Sequence, residues 1–135
     1  MATLQSIQMT APRHPVSGPG IGGRSIKAER GTFTGTAANA DVIELFKLHP
    51  RFRVTGGFVK SEVGAVTLQV GDAADPDRYF LNALVASGAV SREIAGTGMD
   101  YINNASRYIT VNATLGAAFT GTFHVVLFGY IEEPA

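Results

Sequence analysis

Residues 68–80 of this chain are Leu-Gln-Val-Gly-Asp-Ala-Ala-Asp-Pro-Asp-Arg-Tyr-Phe. Apolar and polar residues alternate over 66–70, which predicts a half-buried strand. Gly71 and Asp72 break the alternation, so the chain leaves its sheet at this point. The stretch therefore indicates a strand that ends in an acidic turn.

The second half of the stretch predicts a short helix over 76–84. Asp75 is a favourable N-cap residue, and Pro76 suits the first helical position. Tyr79 and Phe80 are apolar enough to bring the chain back to the core.

Most of the remaining chain is predicted to form strands. Segments with strand-like patterns lie at 32–36, 41–48, 52–59, 88–94, 107–114 and 123–131. Gly56 and Gly57 predict a bulge or a close backbone approach inside one of them, and 116–121 is a predicted loop. About eight short strands with Gly-rich turns favour an all-β fold, a single β-sandwich. Strand count alone leaves a jelly roll and an immunoglobulin-like sandwich open.

The chain is long enough for one domain, with 135 residues. Three prolines and four glycines between residues 12 and 23 disfavour a helix or a central strand there. We therefore divide the chain into an extended Pro/Gly-rich N-terminal arm, residues 1–29, and a β-sandwich domain, residues 30–135.

The arm carries candidate partner-binding residues. Leu4, Ile7 and Met9 are apolar anchors, and Arg13 and Arg24 contribute to an excess of four basic residues over one acidic residue in positions 1–30. A basic arm on a slightly acidic body fits docking on acidic protein or on nucleic acid, and a solvated terminus is the alternative.

The last predicted strand is apolar on both faces. Its two faces consist of Phe123, Val125, Leu127 and Ile131 on one side and Val126, Phe128 and Tyr130 on the other. This pattern is typical of a strand that is covered on both sides. We assign the first face to the core. We expect the arm or a partner subunit to cover the second, with a packed helix as the alternative.

Composition excludes several classes of protein. Charged residues make up 16% of the chain and the net charge is zero, so bulk nucleic-acid binding is not expected. There is no cysteine, which rules out disulfides and thiolate metal sites. No apolar run is long enough to predict a membrane span, and the N-terminus does not resemble a secretion signal. We expect a protein that assembles in the cytoplasm of the cell that produces it.

Metal-binding patterns are weak. The histidines, His14, His49 and His124, are far apart in sequence and show no ligand spacing. Three carboxylates lie within six residues at Asp72, Asp75 and Asp77, which raises a calcium site as a hypothesis. The spacing is not that of an EF-hand, and turn and capping roles explain the same residues. We predict a structural turn, no metal and no cofactor.

Catalytic motifs are also missing. The Gly-rich stretch 18–25 lacks the Gly-Lys-Ser/Thr ending of a phosphate loop, and the chain has no Gly-x-Ser-x-Gly elbow. We predict that the protein is not an enzyme. The tyrosines, Tyr79, Tyr101, Tyr108 and Tyr130, leave a carbohydrate-binding or adsorption module as an alternative function.

The stretch 70–80 resembles a "VGD...DPDRF" signature of small all-β decoration, or cement, proteins of tailed-phage heads. The resemblance extends over residues 30–131 and implies a jelly roll. It also implies a structural virion protein that binds the outside of an assembled head and bridges neighbouring subunits. The expected partners are the major capsid protein and the chain itself, as a dimer or trimer, with no nucleic acid and no membrane.

Overall fold

The computed structural model describes residues 2–6 and 26–132. Nine strands form in these residues. They are β1 Thr3–Gln5, β2 Lys27–Ala37, β3 Val42–Leu48, β4 Phe52–Val63, β5 Val66–Gly71, β6 Phe80–Val85, β7 Val90–Ser91, β8 Ile109–Leu115 and β9 Phe119–Ile131. The described ranges contain no helix, and so no helix that could cross a bilayer. The predicted all-β class is confirmed.

The strands form two sheets. The first sheet has the order β1-β3-β8-β5-β6, and the second has the order β2-β9-β4-β7. β2 pairs with β9, β3 with β8, β4 with β7 and β5 with β6, so the chain from β2 to β9 folds back on itself as one long hairpin. The pairs β4–β9 and β5–β8 then wrap this hairpin into a sandwich. These nested antiparallel pairs are the topology of a jelly roll.

The core lies between the two sheets and is built from alternate residues of both. Its largest fully buried side chains include Phe52, Phe80, Phe123, Leu68 and Leu127. The sheets approach closely where β2 crosses β3, because a Cβ on Gly31 would lie 2.7 Å from Leu45 Cβ. Glycine is therefore required at this crossing for steric reasons.

β9 is the most extensively paired strand. It forms eleven residue pairs with β2 and ten with β4. The register of β4 shifts between Val54 and Gly56, and a Cβ on Gly57 would lie 2.5 Å from the carbonyl oxygen of Val126. The predicted bulge and close approach at the glycine pair are both confirmed.

The predicted helix over 76–84 is wrong. The Arg78 N–H donates to the Asp75 carbonyl at 3.1 Å, which closes a β-turn with Pro76 at its second position, and β6 follows at once. Asp followed by Pro favours a β-turn as well as a helix start. Burial of Tyr79 and Phe80 in the sandwich then selects the extended chain.

Two other boundaries differ from the predictions. β9 starts at Phe119, inside the expected loop over 116–121, because Phe119 and Thr120 pair with β2. A Cβ on Gly121 would lie 1.9 Å from the Val63 carbonyl oxygen. This glycine marks close packing of two strands and not a turn. The strand expected over 88–94 is reduced to the two residues of β7.

Parts of the predicted arm lie in strands. β1 pairs in parallel with β3, and β2 begins at Lys27, before the boundary that we placed after residue 29. Asp41 holds β1 in place, since its carboxylate accepts the N–H of Ala2 at 3.0 Å and that of Ala38 at 2.9 Å. These two backbone donors lower the pKa of Asp41 below its ordinary value.

Truncation of the core face of β9 should be costly. We expect Leu127→Ala to lower the free energy of unfolding by roughly 2–5 kcal/mol, since a fully buried side chain leaves a cavity. Thr120→Ala, at an exposed position of the same strand, should change it by less than about 0.5 kcal/mol. Urea denaturation measures both, and equal effects would contradict this core assignment.

Docking of β1 should depend on pH. The folded-state pKa of Asp41 lies below its unfolded value, so its contribution is present above pH ~4 and is lost as the pH falls through the folded value. We expect the Ser6 N–H, which donates to the Glu44 carbonyl, to exchange faster in Asp41→Ala than in the wild type. Hydrogen exchange at pH 6 tests this. Equal protection in both proteins would show that Asp41 does not hold β1.

Candidate partner-binding face

The outer face of the second sheet contains the candidate residues of β9. Val126, Phe128 and Tyr130 alternate with the core residues of the same strand and point away from the sandwich interior. Val126 is buried at 2% exposure, whereas Phe128 and Tyr130 are half-buried. Phe58 of β4 lies opposite Val126, and its ring centroid is 5.7 Å from that of Phe128.

We call Phe58, Val126, Phe128 and Tyr130 the apolar patch. Sequence reasoning missed Phe58, because the bulge of β4 interrupts the alternation that would have placed it on this face. No helix in the described ranges covers the patch, so the packed helix that we weighed as the alternative cover is not found there. The chain's own strands bury Val126, and the aromatic residues stay partly open.

Basic residues surround the patch. Arg30 of β2 lies opposite Val126, and the Arg92 guanidinium lies 6.0 Å from the ring centroid of Phe58. Arg53 lies opposite Tyr130 and donates to Glu132 at 2.6 Å, and this hydrogen bond raises the pKa of Arg53. The patch therefore combines aromatic surface with cations, a composition that is enriched in protein interfaces.

The other end of the same face is polar. His124 Nδ1 lies 2.8 Å from Thr32 Oγ1, and His124 Nε2 lies 2.8 Å from Glu62 Oε1. The hydrogen bond to His124 lowers the pKa of Glu62. Beyond His124, exposed threonines of β2 and β9 pair with each other across the two strands. The hydroxyl oxygens of Thr34 and Thr122 lie 3.0 Å apart. His124 is thus a buried histidine whose two ring nitrogens both have hydrogen-bond partners within a polar network, which is not the geometry of a metal ligand.

The arm residues are placed only in part. Leu4 packs against the protein's own core as a partly buried side chain of β1. Ile7, Met9, Arg13 and Arg24 lie outside the described residues. Their role in partner binding stays a prediction.

Asp72 organises the acidic turn. Its Oδ1 accepts the N–H groups of Ala74 at 3.0 Å and Asp75 at 2.9 Å, and its Oδ2 accepts Arg78 Nε at 2.9 Å. The capping role that we predicted for Asp75 therefore belongs to the Asp72 side chain. Asp75 contributes through its backbone carbonyl, and a side-chain hydrogen bond to Asp75 raises the pKa of Asp77.

This arrangement explains the acidic turn without calcium. Both oxygens of the Asp72 carboxylate already accept hydrogen bonds. Across residues 2–6 and 26–132, no three His, Cys, Asp or Glu side chains come together as a metal site.

The tyrosines do not form one open sugar platform. Tyr79 is 1% exposed, and burial raises its pKa. The Arg78 guanidinium covers a face of Tyr101, at 3.9 Å from the ring centroid. Tyr108 stacks edge-on with His49, with ring centroids 5.3 Å apart. Stacking on a sugar ring needs a free aromatic face, so this geometry offers little support for the carbohydrate alternative.

The fold defines a small jelly-roll protein, and solved structures share that fold. One is a chain of the capsid of Ralstonia phage GP4, with a TM-score of 0.75, 21% sequence identity, and coverage of 98% of this chain and 99% of that one. Another is a chain of the cyanophage Pam1 capsid asymmetric unit, with a TM-score of 0.57, 24% identity, and coverage of 92% and 96%. No protein-family model and no curated protein sequence matches the chain. At these identities the likeness establishes the fold.

Removal of the Asp72 carboxylate should destabilise the protein. Asp72→Ala leaves Arg78 without its buried partner, and we expect a loss of roughly 3–5 kcal/mol in the free energy of unfolding. Asp72→Asn retains an acceptor for the two backbone N–H groups and should lose less. Asp75→Ala should cost under about 0.5 kcal/mol. Denaturant titration ranks the three variants by their free energy of unfolding. A larger loss for Asp75→Ala than for Asp72→Ala would show that the Asp75 side chain is the capping group, as first predicted.

Proposed function

We propose that this protein is a structural component of a phage virion, a decoration or cement protein that binds the outside of an assembled head. The observation that carries the proposal is the match in fold to chains of two phage capsid structures. Each match covers at least 92% of both chains, so those chains are about as long as this one. A small separate sandwich in a capsid suits an accessory subunit.

The resemblance of residues 70–80 to phage-head decoration proteins supports the same proposal independently of the fold. Composition supports it as well. With zero net charge, the protein gains nothing electrostatically from lying against packaged nucleic acid, which favours the outer surface of the shell. A charged fraction of only 16% fits a surface that is partly covered by other protein.

The proposed mechanism is bridging of neighbouring copies of the major capsid protein. Contacts that exist only in the assembled shell stabilise that shell by mass action. We assign part of this contact to the apolar patch, whose half-buried Phe128 and Tyr130 would lose their remaining exposure on binding. The part of the predicted arm outside β1 and β2, with Ile7, Met9, Arg13 and Arg24, is the second proposed contact. A symmetric dimer or trimer would add avidity to weak single contacts.

Co-sedimentation with purified capsids that lack the protein tests this function. We expect saturable binding to intact shells and none to unassembled capsid subunits, because the bridge needs two neighbours. Bound shells should also withstand a higher temperature before they release DNA. A carbohydrate-binding module would instead bind host-surface glycans and leave the shells unbound, which would overturn the proposal.

The contribution of the apolar patch has its own test. Phe128→Asp places a charge among aromatic side chains that should become dry on binding, so we expect a folded protein that no longer co-sediments. Leu84→Asp is the matched control, because Leu84 is 77% exposed on β6 of the other sheet. It should bind normally.

Circular dichroism establishes that both variants fold. Wild-type binding by Phe128→Asp would exclude the patch as a contact. Unfolding of Phe128→Asp would show that Phe128 belongs to the internal packing, and Tyr130→Asp would then be the variant that tests the open part of the patch.

A further inference from the structure

A pocket of about 240 Å³ lies beside the acidic turn, and none of its lining residues belongs to the apolar patch. It opens between the turn that follows β5 and the loop that leads into β8. The polar groups of its lining come from Asp72, Arg78, Tyr101, Asn103, Asn104 and Arg107. Neither the proposed contact face nor the core uses this pocket.

Arg78 is fixed at the wall of the pocket. Its Nε donates to Asp72 Oδ2 at 2.9 Å, and Nη2 lies 3.4 Å from Asp72 Oδ1, so one edge of the guanidinium is occupied. Tyr101 packs against its face. Within the described chain, Nη1 has no hydrogen-bond partner and is not among the buried unsatisfied atoms. The free edge of a rigid guanidinium therefore reaches solvent.

The side-chain oxygens of Asp72 and Asn103 are already engaged. Asp72 accepts two backbone N–H groups in addition to Arg78. Asn103 is 2% exposed, its Oδ1 accepts the Ala105 N–H at 3.0 Å, and its Nδ2 donates to backbone carbonyls. Neither residue offers a free oxygen to a ligand.

The side-chain donors of Arg107 and Tyr101 are not engaged within the described chain. Arg107 is exposed, and its guanidinium has no ion pair or hydrogen bond to any described residue. The Tyr101 hydroxyl likewise has no hydrogen-bond partner in that part of the chain. Two arginines and one aspartate leave one net positive charge, and the unused polar groups are mostly donors.

We propose that this pocket binds a carboxylate supplied by a partner protein, the side chain of an Asp or Glu or a C-terminus. The free edge of Arg78 presents two N–H donors in the geometry that a carboxylate accepts, and Arg107 supplies a second guanidinium in the lining of the same pocket. A single net positive charge matches a monoanion better than a phosphate dianion.

The size of the pocket favours a side chain over a free small molecule. Pockets for small ligands usually enclose about 300–1,000 Å³, and this one is smaller. The occupant is therefore a group that projects from a larger surface. This inference does not depend on the proposed function, because the pocket is defined by its own donors and can be tested without capsids.

Nuclear magnetic resonance titration of the intact protein at pH 7 tests the site. The probe is N-acetylglutamate amide, and N-acetylglutamine amide is its uncharged control. We expect saturable shifts of the Arg78 Nε–H and of backbone amides at 72–78 and 101–107, with a dissociation constant in the millimolar range, and no such shifts with the control. Absence of saturable shifts, or equal shifts with both probes, would overturn the proposal.

Variants separate the pocket from general charge attraction. Arg107→Ala should weaken probe binding about threefold, as expected for one exposed ion pair, and Arg107→Glu should abolish it. Arg92→Glu makes the same change in net charge beside the apolar patch and should leave binding unchanged. Equal losses in Arg107→Glu and Arg92→Glu would refute a specific pocket.

Two further probes distinguish which class of anion the pocket prefers. Inorganic phosphate and N-acetylneuraminate are titrated under the same conditions. Tighter binding of phosphate would exclude the carboxylate assignment, and tighter binding of the sugar acid would assign the pocket to a glycan and not to a protein partner. Weaker binding of both supports the proposal.

Discussion

The pairing of β9 on both of its edges is the constraint on which this structure depends. β9 forms long antiparallel ladders with β2, its partner in the long hairpin, and with β4, which belongs to a different pair of that hairpin. Because side chains alternate across a strand, one register fixes both faces at once. The core face of β9 consists of Phe123, Val125, Leu127 and Ile131, and Phe128 points outward. A shift by one residue would exchange core and surface along the whole strand.

The contacts that stabilise the acidic turn also fix the position of the Arg78 guanidinium. Asp72 is 5% exposed, and such a carboxylate is tolerated only because backbone donors and Arg78 surround it. The same contacts hold Arg78 against Tyr101, so a group required for the fold also presents a fixed donor edge to solvent. The loop before β8 is ordered around it, as the Thr97 hydroxyl donates to the Arg78 carbonyl at 2.8 Å.

Local patterns in the sequence predicted the fold class, the core face of β9 and the bulge at Gly56 and Gly57. These features depend on residues that are close together in the chain. Strand pairing did not follow from the sequence, because β2 and β9 are brought together by the whole fold. Pro76 suits a turn and a helix start equally. The choice of strand β6 over a helix therefore depends on the burial of Tyr79 and Phe80 in the sandwich. For the apolar patch, the sequence placed Val126, Phe128 and Tyr130 on the face opposite the core face of β9, whereas Phe58 and the basic residues beside them required the pairing of β4 with β9.

The two outer faces of the sandwich differ, and this difference bears on how it would attach to a shell. On the first sheet, β1 and β3 present polar groups to solvent, such as Gln5, whose amide donates to Glu44 at 3.0 Å, and β6 presents the exposed side chains of Leu81 and Leu84. Desolvation of the polar groups returns little free energy unless each of them finds a new partner. The second sheet presents Phe58 and Phe128 with cations close by, and burial of aromatic surface is favourable without exact matching. Because aromatic residues and arginine are the residues enriched in protein interfaces, we assign the proposed contact to the second sheet and not to the leucines of β6.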